Sequence, residues 1–216
     1  ASLIWTWVWP LTAVCLFGYL LEVLCRESKV FPVLKVCRDT EADYGRKYPE
    51  QFNFINRGIS GNRIVDVYAR IKADIINLAP DYMSILIGIN DVWHEIGNHN
   101  GVDAVKFEKI YGMLIEEIKE ALPNIKLFLL DPFVLRAAAT DDNWDYFHRE
   151  TLLRAAAVKR LAEKYNLVFI PLQEDFDNVS ANTENSFWLS DGVHPTSAGH
   201  QLIKEKLAAA FDKEYK

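Results

Sequence analysis

The chain has 216 residues, of which half are hydrophobic and a quarter are charged, and its formal net charge is −6. These totals are typical of a globular domain with a substantial core, and they argue against a nucleic-acid partner, which needs a basic surface. The three cysteines, Cys15, Cys25 and Cys37, lack metal-ligand spacing, so reduced thiols in a cytoplasmic protein are the expected state.

The first 25 residues form an apolar segment in which Glu22 is the only charged side chain. The segment is long enough for a membrane-spanning helix, but Pro10 and the alternating W-T-W-V-W at 5–9 are more typical of a strand. No basic region precedes Arg26, as a signal peptide would require. Two interpretations stay open: a buried strand and helix in a cytoplasmic protein, or a targeting or anchoring segment in a secreted or membrane-attached one.

From residue 52 onwards, apolar runs of strand length alternate with amphipathic segments of helical length. The predicted strands are 52–56, 83–89, 125–130 and 167–172. The predicted helices are Arg63–Leu78, Asp103–Leu122, Tyr146–Tyr165 and a last helix that begins near Thr196. The segment 175–186, rich in Asn, Asp and Ser, is predicted to be a loop. Strands that alternate with helices in this way predict a parallel sheet covered by helices on both faces, within one domain spanning 1–216.

The stretch D-G-V-H-P at 191–195 places an aspartate and a histidine three residues apart, just before the last helix. Acyl transfer requires a nucleophile, a base, a group that orients the base, and donors for the oxyanion. The carboxylate of Asp191 can reach Nδ1 of His194 across the glycine turn, and Nε2 can then act as the base. Pro195 fixes the backbone at the start of the helix.

Two further residues follow predicted strands: Gly61 comes after 52–56, and Asn90 comes after 83–89. Ligands of open α/β sheets bind beyond the carboxyl ends of the strands. The backbone N–H of Gly61 and the side-chain amide of Asn90 are therefore candidates for converging on one point as an oxyanion hole.

Together, R-G-I-S-G-N at 57–62, G-I-N-D at 88–91 and D-G-V-H-P at 191–195 resemble the motifs of the SGNH hydrolases, also called GDSL-type esterases. The resemblance spans about 52–207 and keeps the family's motif order. It implies a flavodoxin-like three-layer α/β/α fold with a central, mainly parallel five-stranded sheet. It also implies that the glycine, the asparagine and the aspartate–histidine pair take the catalytic roles described above, without a metal or organic cofactor.

The family's G-D-S motif, which supplies the nucleophile, has no match in this chain. The serines before Gly61 are Ser2, Ser28 and Ser60. Ser60 adjoins the oxyanion glycine, where a structural role is expected. Ser28 follows the apolar run 19–24, about where a first strand could turn into a helix, and is the candidate nucleophile. Two alternatives stay open: Ser28 is an ordinary surface serine, or the first motif is degenerate or missing and the domain lacks a competent nucleophile.

Two tryptophans near the proposed site, Trp93 and Trp188, are candidates for substrate binding by stacking on a sugar or lining an acyl pocket. An aromatic lid without a ligand is the competing interpretation. Asp91 is expected to cap or brace the strand end. His94 and His99 with Asp91 offer no recognised ligand spacing, so no metal site is predicted.

Two functions are consistent with these residues. The first is a serine ester hydrolase that removes short acyl groups, acetyl above all, from carbohydrates or other small esters, as the resemblance implies. The second is a non-catalytic domain that binds a carbohydrate or acylated ligand on the same scaffold. The oligomeric state does not follow from the sequence.

Overall fold

The computed structural model describes the backbone of residues 11–17 and 32–215 and the side chains from residue 40 onwards. In this part of the chain the strands are β1 (Leu11–Phe17), β2 (Phe52–Asn56), β3 (Tyr82–Leu86), β4 (Lys126–Leu130) and β5 (Val168–Ile170). The helices are α1 (Pro32–Lys47), α2 (Ile64–Ala69), α3 (Ile71–Asp74), α4 (Ile89–Asn98), α5 (Ala104–Ala121), α6 (Trp144–Tyr165), α7 (Leu172–Ser180), α8 (Asn185–Trp188) and α9 (Ser197–Glu214).

The described strands form one parallel sheet in the order β2-β1-β3-β4-β5. β1 lies in the interior of the sheet, where Val14 is opposite Ile55 of β2 and Met83 of β3. The strand order reverses between β1 and β3, and this switch point is where an open α/β sheet leaves a crevice for a ligand. The predicted five-stranded parallel sheet is confirmed.

Neighbouring residues of a strand point to opposite sides of the sheet, so these apolar strands give it two apolar faces. Helices cover both of them. One buried cluster combines Leu86, Phe128 and Leu130 with side chains from α7 and α9. The other combines Met83, Ile85, Leu127 and Leu129 with side chains from α2, α5 and α6. The two clusters are the two helix–sheet interfaces of the predicted three-layer α/β/α fold.

Three of the predicted elements differ from the structure. The helix predicted over Arg63–Leu78 is divided into α2, α3 and a 3-10 helix at Ile76–Leu78. The strand predicted over 83–89 ends at Leu86, because Gly88, with φ +130°, turns the chain into α4. α4 continues the apolar run of the strand, so the sequence shows no boundary between them except that glycine.

The segment 175–186, predicted as a loop, is largely helical, because α7 and α8 occupy it. The start of α7 is stabilised from the end of β4, where Oδ1 of Asp131 accepts hydrogen bonds from the backbone N–H groups of Leu172, at 2.6 Å, and Gln173, at 3.3 Å. The N-terminal N–H groups of a helix need such acceptors. A partner so distant in the sequence left no local signal for α7.

The apolar N-terminal segment lies partly inside the described residues. Residues 11–17 form β1, between the two stretches in which the sequence suggested a strand. W-T-W-V-W at 5–9 and the run 19–24 lie outside the described residues. No helix in the described part of the chain is both long and apolar enough to cross a bilayer.

Asp131 makes stability depend on pH. Burial raises the pKa of Asp131 to about 7, against the opposing effect of its two backbone hydrogen bonds. The folded state therefore holds a proton on this carboxyl group that the unfolded chain, with an ordinary pKa of 3.8, releases. The stabilising contribution is present below the unfolded pKa and is lost as the pH rises through the folded pKa.

The Asp131→Asn variant cannot titrate at this position and serves as the reference. We expect the unmodified protein to lose stability relative to this variant between about pH 4 and pH 7, and the difference between their free energies of unfolding then to level off. Urea unfolding of both proteins across this range measures the difference. A difference that stays constant, or that grows as the pH rises, contradicts the assignment.

Candidate active site

The catalytic candidates lie on segments that follow the strands or precede the last helix. Gly61 lies in the turn between β2 and α2, Asn90 lies in the first turn of α4, and Asp191 and His194 lie in the loop between α8 and α9. β2 and β3 flank β1 and run parallel to it, so the segments after them leave the sheet at the same edge.

Asp191 and His194 form a hydrogen-bonded pair. The Oδ2 atom of Asp191 lies 2.5 Å from Nδ1 of His194. The Oδ1 atom accepts hydrogen bonds from the backbone N–H groups of Val193, at 3.0 Å, and His194, at 2.8 Å. Burial acts to raise the pKa of Asp191, but hydrogen bonds from the side chain and backbone of His194 outweigh it, and the pKa lies below its ordinary value. The carboxylate stays ionised and fixes Nδ1 as the donor, so Nε2 is the basic nitrogen of the ring.

The loop that carries this pair is closed on itself. Leu189 and Pro195 form an isolated antiparallel bridge, and the backbone N–H of Ser190 donates to the carbonyl of His194 at 2.8 Å. Directly behind the loop, the hydroxyl of Thr196 accepts hydrogen bonds from the N–H groups of Ala198 and Gly199 and so caps α9. The base is therefore held on a short, rigid support.

Gly192 allows this loop to pack against the segment after β4. It has φ +99°, and a Cβ atom at this position would meet the Leu135 carbonyl oxygen and the Thr140 hydroxyl well inside van der Waals contact. The Gly192 carbonyl accepts a hydrogen bond from the Leu135 N–H at 2.9 Å, and the Asp191 carbonyl accepts one from the Ala139 N–H at 2.9 Å. The segment 135–140 is thus a support of the site that the sequence reasoning missed.

The two proposed oxyanion donors are joined through Asn62. Gly61 has φ +77°, and the turn is closed by a hydrogen bond from the Asn62 N–H to the Ile59 carbonyl at 3.3 Å. Asn90 is fully buried, and its Nδ2 donates to the Asn62 carbonyl at 3.1 Å. This bond engages one of the two N–H groups of the amide.

Asp91 binds the start of α2 and not the strand end that the sequence led us to expect. Its two carboxylate oxygens lie 3.1 and 3.2 Å from the backbone N–H donor of Ile64, the first residue of α2. Its side chain is fully buried, and burial raises its pKa to about 7.

Trp93 connects the oxyanion side of the site with the base. It lies one helical turn after Asn90 on α4, and its ring centroid is 5.9 Å from that of His194. The Trp93 ring also packs edge-on against Phe147, with centroids 5.6 Å apart. The half-buried indole is therefore positioned to line the space beside the base.

Trp188, the second candidate for substrate binding, is the last residue of α8. Its indole N–H donates to the Thr183 hydroxyl at 2.7 Å, and its ring packs edge-on against Phe187 at 5.1 Å. Phe187 is 57% exposed, and the sequence reasoning did not select it. Its position next to Trp188 and close to the Asp191 loop was the signal that could have identified it.

The candidate nucleophile, Ser28, lies outside the described residues. The run 19–24, after which a first strand was expected to turn into a helix, also lies outside them, and the described strand β1 spans Leu11–Phe17. The sequence directly after it reads G-Y-L and contains no serine.

Among the described residues, no group of three or more His, Cys, Asp and Glu side chains is arranged to hold a metal ion. His94 and Asp91, two of the three residues considered for such a site, both lie on α4.

Comparison with known proteins assigns the scaffold. Residues 28–202 match the model of the GDSL-like lipase/acylhydrolase family. An acetylxylan esterase from Geobacillus stearothermophilus is 33% identical over 172 residues, which are 77% of this chain and 74% of that protein. The chain belongs to the GDSL-like lipase/acylhydrolase family. All three motifs of the site lie within the matched residues, and membership makes the chain a carboxylic ester hydrolase by class.

Solved structures of the family share the fold. A protein assigned as a GDSL-like lipase, from Parabacteroides merdae, superposes with a TM-score of 0.80 at 26% identity, covering 94% of this chain and 95% of that one. An acetyl xylan esterase gives a TM-score of 0.75 at 26% identity, covering 92% and 98%. An acetyl xylan esterase variant from Geobacillus stearothermophilus gives 0.73 at 26% identity, covering 93% of each chain.

Replacing the loop glycine tests how the base is held. We expect Gly192→Ala to lower the free energy of unfolding by roughly 2–3 kcal/mol, because the methyl group clashes with a backbone carbonyl at a positive φ. Gly45→Ala is the matched control, since Gly45 lies in helix α1 with open space around its Cβ position. The control should be neutral or stabilising by up to about 1 kcal/mol. Equal urea midpoints for Gly192→Ala and the unmodified protein contradict the packing described here.

Proposed function

We propose that the protein is a serine ester hydrolase that removes short acyl groups, acetyl above all, from carbohydrates or other small esters through an acyl-enzyme. The observation that carries this proposal is the Asp191–His194 pair, whose 2.5 Å contact fixes the imidazole as a base. Family membership and the named activity of the acetylxylan esterase relatives support the substrate class.

In the first step, Nε2 of His194 takes the proton of the serine hydroxyl as the oxygen attacks the ester carbonyl. The imidazolium that forms is stabilised by the ionised carboxylate of Asp191 at Nδ1. Collapse of the tetrahedral intermediate breaks the bond to the leaving alcohol, and His194 returns the proton to that alcohol. The acyl group then remains on the serine.

The tetrahedral intermediate places a negative charge on the former carbonyl oxygen. The backbone N–H of Gly61, an N–H of the Asn90 amide and the N–H of the nucleophile are the donors proposed to bind it. Support comes from the bond that joins Asn90 to the turn of Gly61 through Asn62. Donors fixed in this way need little rearrangement when the charge forms.

Water completes the cycle. His194 accepts a proton from a water molecule as that water attacks the acyl-enzyme, and it then returns the proton to the serine as the acid leaves. No step needs a metal ion or an organic cofactor.

Ser28 is the proposed nucleophile. It precedes the oxyanion turn in the sequence, and the match to the family model begins at this residue. Trp93 is proposed to contact the acyl group or the adjoining sugar, because its ring lies beside His194. Trp188 is proposed to contact the sugar farther from the reacting bond.

A second candidate function is ligand binding without catalysis. One observation favours it: β1 ends at Phe17 in the interior of the sheet, and neither G-D-S nor any serine follows it directly in the sequence. In that case Trp93 and Trp188 would bind a carbohydrate, and the Asp191–His194 pair would be a remnant of catalysis.

Hydrolysis of 4-nitrophenyl acetate and release of acetate from acetylated xylo-oligosaccharides test the proposal. We expect turnover of both esters, a fall in kcat of about 1,000-fold or more in His194→Ala, and a fall of about 100-fold or more in Asn90→Ala. Ser28→Ala should lose activity to the same extent as His194→Ala.

His148→Ala is the matched control, because His148 stacks on Trp144 in α6 and should leave kcat unchanged. If activity is lost in His194→Ala but kept in Ser28→Ala, the esterase function stands and Ser28 is not its nucleophile. An unmodified chain that hydrolyses neither ester but binds the oligosaccharide supports the second function.

A further inference from the structure

We propose that Asp91 is a positioning residue that holds the turn of Gly61 against Asn90, so that the two oxyanion donors converge. This inference rests on the esterase function proposed above. It assigns a role to a buried carboxylate that takes no part in the chemistry itself.

Asp91 and Asn90 are consecutive on α4, and they bind consecutive points of one segment. Asn90 donates to the carbonyl of Asn62, and Asp91 accepts the backbone N–H of Ile64. One bond therefore fixes the end of the glycine turn, and the other fixes the start of the helix that follows it. Both contacts are inaccessible to water on the α4 side, since Asn90 and Asp91 are fully buried.

The other side of the turn is held by Arg70. Its Nε donates to Oδ1 of Asn62 at 3.1 Å, and its Nη1 donates to the Arg57 carbonyl at 2.8 Å. These bonds fix the shape of the turn but not its distance from α4. Asn90 and Asp91 make the bonds that tie this segment to α4 itself, and the Arg63 guanidinium adds a bond to the Asn100 carbonyl just beyond that helix.

Asp91 is itself fixed through its backbone. Its carbonyl accepts the N–H of Val102 at 3.0 Å, and the Val102 carbonyl accepts a hydrogen bond from the buried guanidinium of Arg154 on α6. The guanidinium also binds Glu150, one turn earlier on α6. The carboxylate is therefore a rigid support and not a mobile surface group.

The cap of α2 is supplied in an unusual way. Arg63, which precedes the helix, provides no side-chain acceptor for it, so the N–H of Ile64 is bound by a residue 27 positions away. A Ser, Thr or Asp at position 63 would cap the helix locally. Such a cap would accept the N–H of the second or third residue of the helix, whereas the distant carboxylate binds the N–H of the first and links α2 to the helix that carries Asn90.

Steady-state kinetics on 4-nitrophenyl acetate test the role. Asp91→Ala should lower kcat by about 10- to 100-fold with KM changed less than about threefold, because misplaced donors weaken binding of the transition state and not of the ester. Asp91→Asn, whose amide oxygen can still accept the Ile64 N–H, should have a kcat much closer to that of the unmodified protein. It replaces Asp91→Ala as the test variant if the alanine variant does not fold.

Asp131→Ala is the matched control. Asp131 is also a buried aspartate that follows a strand of the sheet and caps a helix, but it contacts neither the glycine turn nor Asn90. It should lose stability comparably while keeping kcat within about threefold. Equal losses of kcat in Asp91→Ala and Asp131→Ala overturn the proposal.

A second readout does not depend on activity. In ¹H–¹⁵N spectra, Asp91→Ala should shift the amide signals of Gly61 and Ile64, and Asp131→Ala should leave both in place. If the unmodified protein has no esterase activity, the proposed function is wrong. The Gly61 and Ile64 signals then test whether Asp91 positions the turn, independently of activity. Unchanged Gly61 and Ile64 signals in Asp91→Ala overturn it.

Discussion

Hydrogen bonds from backbone N–H groups to buried or half-buried aspartate side chains hold the helix starts and loops beyond the sheet in place. Asp91 binds the start of α2, Asp131 binds the start of α7, and Asp191 binds the backbone of its own loop. Loops and helix starts leave N–H groups that need acceptors, and the oxygens of an aspartate side chain meet this need. The bonds of Asp91 and Asp191 give fixed positions to the segment that carries Gly61 and to the loop that carries His194, whereas the bond of Asp131 fixes α7.

Burial separates the three carboxylates chemically. It raises the pKa of Asp91 and of Asp131 to about 7, whereas Asp191, which also binds the imidazole of His194, has a pKa below its ordinary value. The first two act as structural acceptors. Of the three, Asp191 is the one that keeps its charge at acidic pH, as the proposed role of His194 as a base requires of its partner.

Sequence reasoning succeeded where the interacting residues are close in the chain. The strand 52–56 and the contact between Asp191 and His194 depend on neighbouring residues, and both were predicted correctly. α7 was missed because its cap comes from Asp131, 41 positions earlier. The link from Asp91 to Ile64 spans 27 positions and was equally invisible. The apolar run 19–24, on which the choice of Ser28 depended, lies outside the described residues, so Ser28 as the nucleophile stays a prediction.

The proposed reaction depends on a serine of this chain that His194 activates. Treatment with a fluorophosphonate, which reacts with activated serines, followed by mass spectrometry of the intact protein and its peptides, tests it most directly. The account predicts one adduct, on the peptide that contains Ser28, formed rapidly in the unmodified protein and very slowly in His194→Ala. No adduct in the unmodified protein, or one that forms equally fast without His194, would contradict it.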